Sequence, residues 1–84
     1  MAAILIEQVG GLSVGSHVVE ITAIDPTDQD CLIGTIVTSG KGTTREAWNL
    51  NGLMRGGSDP VNLDMQSGAF SEVVSLAKKL GAPN

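Results

Sequence analysis

The stretch CLIGTIVTSGKGTTREAWNLNG, residues 31–52, decides the fold. Its first eight residues are the most apolar segment of the chain and carry Ile33, Thr35, Ile36 and Val37, side chains that suit a pleated surface. The SGKG quartet then marks a turn, and TTREAWNL reads as a returning strand. A hairpin over 31–38 and 43–50 follows.

Asn51-Gly52 closes this stretch, and Asn-Gly between apolar residues is the strongest local hairpin signal, because a type I′ turn needs positive φ at both central residues. A third strand of the series is therefore expected over 53–55. In that register Leu50 faces Leu53, Asn49 faces Met54 and Trp48 faces Arg55, with Trp48, Leu50, Leu53 and Arg55 on one side of the ribbon. The Arg55 guanidinium would stack on the indole, a contact worth about 0.5 to 1 kcal/mol when exposed. Trp48 is then a core residue lidded by its own arginine. The competing reading makes Trp48, Leu50, Leu53, Met54 and Arg55 a surface that meets a partner, since tryptophan and arginine dominate interface energetics.

Working outward, 3–9 is aliphatic and bounded by Gly10-Gly11, which marks it as a strand. HVVEITAID, 17–25, is rich in β-branched residues and forms another. Pro26 opens a polar connection short enough for a hairpin into 31–38. Beyond the GGSDP loop, VNLDM over 61–65 reads as a last short strand. Phe70, Val73, Val74, Ala77 and Leu80 then recur at helical spacing and predict a helix over 68–80. Ser67 stands where a cap would be, Glu72 near the positive end, Lys78 and Lys79 near the negative end, and Gly81 and Pro83 at the stop. Strands followed by one helix give a single α+β domain over 1–84: a small antiparallel meander or half-barrel with the carboxy-terminal helix packed on one face.

Length and charge narrow the functions. A chain of 84 residues buries only about 60 to 65% of its unfolded surface. Nine acids against five bases, with a net charge of −4 and no basic stripe, repel a phosphate backbone, so direct nucleic-acid binding is not expected. No apolar run approaches the roughly 18 residues that span a bilayer, and the amino terminus lacks the basic segment of a signal peptide. The single cysteine, Cys31, excludes an internal disulfide framework and suits a reducing cytoplasm.

Candidate chemistry is sparse. GTIVTSGKGT has five residues between Gly34 and Gly40 and a glycine after Lys41, which fails the phosphate-loop spacing, so no nucleotide is expected there. Asp25, Asp28 and Asp30 share one connection but lack the glycine and bidentate glutamate of a calcium loop. Antiparallel pairing of 17–25 with 31–38 would hold His17 and Cys31 roughly 20 Å apart, far beyond hydrogen-bond reach. One cysteine and one histidine cannot build a zinc site. The expectation is therefore a non-enzymatic protein without catalytic residues, metal or cofactor. It would act as a protein–protein interaction module or a homo-oligomeric structural component; a small-ligand-binding protein or enzyme ranks last.

Taken together, VVEITAID, CLIGTIVTSGKGTTREAWNLNG and PVNLDM resemble the small β-hairpin-rich proteins of tailed phages and prophages, over 18–65. The resemblance implies such an origin and a cytoplasmic location only, and carries no site residue; an accessory or host-modulating role is one form the interaction module would take. One physical expectation stands apart from it. Ile4, Leu5, Ile6, Leu32, Ile33, Ile36 and Val37 lie on both faces of their strands, and one helix covers only one face. A twofold homodimer, joined through strand surface, would bury the excess, the partner otherwise being an unknown protein.

Overall fold

The computed structural model describes residues 3–38 and 40–82. Four antiparallel strands, β1 (Ile4–Leu12), β2 (Val18–Ile24), β3 (Leu32–Thr38) and β4 (Gly42–Trp48), form an open sheet in the order β1-β2-β3-β4. Two short 3₁₀ turns, Asp59–Val61 and Met65–Ser67, lead into one helix, α1 (Ser71–Lys79). This is the expected α+β meander with its carboxy-terminal helix on one face.

Register follows the alternation of side chains. Val19, Ile21 and Ile24 of β2, Leu32 and Ile36 of β3 and Trp48 of β4 point to one side and are fully or almost fully buried. Phe70, Val73 and Ala77, one stripe of α1 and its entry, close over them, together with Leu50 and Leu63. Fully burying an aliphatic side chain contributes about 1.5 to 3 kcal/mol, so this small set carries the fold. The helix ends in a Schellman arrangement: Ala82 N–H donates to Ala77 C=O at 3.0 Å and Gly81 N–H to Lys78 C=O at 3.1 Å.

Several elements differ from the sequence-based expectation. β1 continues through Gly10-Gly11, which pair with Glu20 and Val19. The glycines do not end the strand; Gly11 lies under Phe70, whose ring atoms would be 2.6 and 2.8 Å from an added Cβ. The expected strand 53–55 is a single bridge, Trp48 to Met54, because Met54 N–H turns to the Asn62 side-chain oxygen at 3.0 Å. The expected strand 61–65 is likewise one bridge, Ser13 to Leu63, flanked by the 3₁₀ turns. Pro60 brings no donor there, and the Asp64 carboxylate accepts from Gln66 N–H at 3.1 Å, which turns the chain away from a ladder. Helix α1 starts at Ser71, three residues late, with Ser67 in the preceding turn and no side-chain cap at Phe70.

The Asn-Gly turn is also shifted. Gly52 has positive φ and Asn51 does not. Asn49 C=O accepts from Gly52 N–H at 2.9 Å and Asn49 N–H donates to Leu53 C=O at 3.0 Å, leaving a three-residue loop that ends in a left-handed glycine. The Asn49 carboxamide oxygen fixes this loop by accepting from Asn51 N–H at 2.8 Å and Leu53 N–H at 3.1 Å. One extra loop residue moves the register by one, so Trp48 meets Met54 instead of Arg55.

Candidate functional site

The register shift decides what happens to the five residues of the Asn-Gly hairpin. Trp48 is completely buried, and its indole N–H donates to Val61 C=O at 2.9 Å. Leu50 is buried, Met54 half-buried, and Leu53 exposed. Arg55 does not lid the indole. Its Nε lies 3.0 Å from Asp30 Oδ2, an exposed guanidinium paired across to the β2–β3 connection and worth about 0 to 1 kcal/mol. Of the five, only Leu53 and Arg55 present an exposed side chain, so they do not form one contact patch.

The acidic connection is held by its own turns. Asp25 Oδ1 accepts from the Thr27 hydroxyl at 2.6 Å and from Thr27 N–H at 3.0 Å, and the hydroxyl bond most strongly holds the carboxyl below its ordinary range. Asp28 Oδ1 accepts from Asp30 N–H at 2.9 Å, and Asp30 pairs with Arg55. Among the described residues no three His, Cys, Asp or Glu side chains gather where they could hold a metal ion. Cys31 is fully buried, and loss of hydration raises its thiol pKa, with Asp30, Asp28 and Asp25 adding to the rise. β2 and β3 pair from Val18–Val37 to Ile24–Leu32, so His17 and Cys31 stand at opposite ends of the ladder, as the sequence predicts.

Among the open grooves of the described residues, two lie beside the core. One, about 460 Å³, runs between β1 and α1 and is lined by Ile6, Val9, Glu72, Val73 and Leu76. The other, about 290 Å³, lies between the β3–β4 turn and the loop after Met54, beside Lys41, Thr44, Glu46 and Ser58. Thr38 lines the second, and its hydroxyl oxygen is buried without a hydrogen-bond partner among the described residues.

The surface that stands out is the face of the sheet turned away from α1. Leu12, Val18, Val37 and Thr43 form one continuous row across all four strands, paired in register. All four are exposed, the three aliphatics at 44 to 48%. The next row is polar: Gly10, Glu20, Thr35 and Arg45. Past the irregularity between Ile21 and Ala23 a third row is apolar again, with Leu5, 84% exposed, then Ala23, which is buried, and Ile33 and Ala47, which are half-buried. No described element packs on this face, since Phe70, α1, Leu50 and Leu63 all join the core on the other side. Alternation alone placed aliphatics on both sides of β1 and β3; the ladder shows which of them align.

No protein-family model, curated protein or solved structure matches this chain. Among the described residues no helix is long and apolar enough to cross a membrane.

Proposed function

We propose that the protein works by protein contact, through the sheet face opposite α1, and carries out no chemistry of its own. The observation that carries this is the exposed row Leu12, Val18 and Val37, in register on three adjacent strands and covered by no described element. Contiguous apolar surface of this kind on a soluble domain marks an interaction site, whereas singly scattered aliphatics do not. A charged row beside it gives such a surface orientation as well as adhesion. The separation of His17 from Cys31 and the self-contained acidic turn support a binding role over a catalytic one. A small accessory or host-modulating protein fits this mode of action.

Lysine at both Val18 and Val37 tests it. Both side chains already face water, so V18K/V37K is expected to melt within a few degrees of the parent while losing every stoichiometric protein partner, whether foreign or a second copy. Undiminished partner binding by the folded variant would overturn the proposal.

A further inference from the structure

The pattern of the face says what covers it. Its polar row has Glu20 on β2 and Arg45 on β4, with Thr35 of β3 between them. Two strand spacings separate the opposite charges by about 10 Å, beyond the reach of an ion pair between them within one copy. On either side of this polar row lies an apolar one, Leu12-Val18-Val37 and Leu5-Ala23-Ile33-Ala47. We infer that the occupant is a second copy of this chain, packed face to face about a twofold axis that runs parallel to β3.

The placement of Glu20 and Arg45 on either side of β3 selects that axis. A twofold axis along β3 keeps each row at its own height and exchanges β2 with β4 of the partner copy. Val37 then meets Val37, Val18 lies over Thr43, Ile33 meets Ile33, and each Glu20 faces an Arg45 twice over, as an isologous contact requires. The alternative in-plane axis, across the strands, would set Glu20 on Glu20 and Arg45 on Arg45, and like charges opposed in this way repel. Facing sheets pack about 10 Å apart, a gap that an extended arginine and a glutamate span together.

Size sets the expected strength. About that axis β2, β3 and β4 overlap and β1 lies outside, so at about 3.3 Å per residue over seven residues and about 4.8 Å between strands the shared face measures roughly 23 by 14 Å. That is on the order of 650 Å² of projected area for two copies, below the stable interfaces that start near 1,200 Å² of accessible surface, so the association is weak. A concentration-dependent dimer follows.

This inference rests on the contact-face proposal, and charge exchange separates the two. Sedimentation equilibrium of the full chain should show a reversible dimer, with E20R and R45E each weakening association at least tenfold and E20R/R45E recovering to within about threefold of the parent. Circular dichroism verifies that each variant is folded; should one misfold, raising salt on the parent to about 1 M gives the same information by screening the pairs, and dimerisation should weaken. A dimer indifferent to both single exchanges and to salt, or one that the double exchange fails to restore, overturns the axis. A parent that stays monomeric throughout overturns the second copy as occupant. The contact face itself is then judged by the V18K/V37K partner loss alone.

Discussion

Gly34 is the point at which the sheet tolerates least. It lies in β3 opposite Ile21, next to the irregularity between Ile21 and Ala23. An added Cβ would overlap the Glu20 carbonyl oxygen and stand 2.8 Å from Glu20 C and 2.9 Å from Ile21 Cα. All three are backbone atoms of the paired strand, so no side-chain rotation relieves the overlap and β2 must move away from β3. Overpacking a well-ordered site costs about 1 to 3 kcal/mol, and a clash that displaces backbone belongs at or above the upper end. Against a total of roughly 4 to 12 kcal/mol for a chain of this size, Gly34→Ala removes a large share of the stability. Urea unfolding followed by the emission of fully buried Trp48 measures it. With a slope of about 1 to 1.5 kcal/mol per molar, a loss of about 3 kcal/mol lowers the midpoint by roughly 2 to 3 M. Gly10→Ala is the internal control, since nothing lies within 4 Å of its added Cβ. It should leave the midpoint near that of the parent. A Gly34→Ala midpoint equal to that of Gly10→Ala would refute the close β2–β3 approach.

Three further outcomes follow from single side chains. Thr38→Val replaces a buried hydroxyl that has no partner among the described residues with a methyl of similar shape, so stability should hold or rise by up to about 1 kcal/mol; a loss beyond that would mean the hydroxyl is bonded. Cys31, buried and with its thiol pKa raised, should resist an aromatic disulfide reagent at pH 8 until the chain is unfolded, and rapid labelling of the native protein would contradict its burial. The Asp25 carboxyl, lowered mainly by the Thr27 hydroxyl, contributes stability that is fully present above the ordinary carboxylate pKa near 3.9 and lost as pH falls through its lower folded value. Thr27→Val should therefore be less stable than the parent at pH 7 and converge with it in strong acid, and a gap that stays constant with pH would count against the bond.

The meander and its helix were legible because their signals are periodic: β-branched runs in β2 and β3, apolar spacing in α1, and lysines at its end. The hairpin after β4 was not. Asn-Gly announces a turn, but whether Asn51 takes positive φ depends on the Asn49 carboxamide, which caps the loop and adds a residue to it. That one residue sent Arg55 to Asp30 and left Trp48 to bond Val61, so the hairpin residues that looked like one surface divide between core and solvent. Likewise, the Asn62 and Asp64 side chains replace ladder bonds that alternation alone predicts for 53–55 and 61–65. The excess of aliphatics was visible in composition and alternation. Their alignment into a row was not, because it depends on the register of three strands at once and on a bulge in β2.

Site-specific photocrosslinking in the native host tests the central claim most directly. A photoreactive phenylalanine analogue at Val37, in the middle of the uncovered face, should give one discrete protein adduct, at twice the chain mass of 8.6 kDa when the occupant is a second copy. The same analogue at Leu53, 48% exposed but outside that face, should give none. No adduct from Val37, or the same pattern from both positions, would contradict the assignment of this face as the surface through which the protein acts.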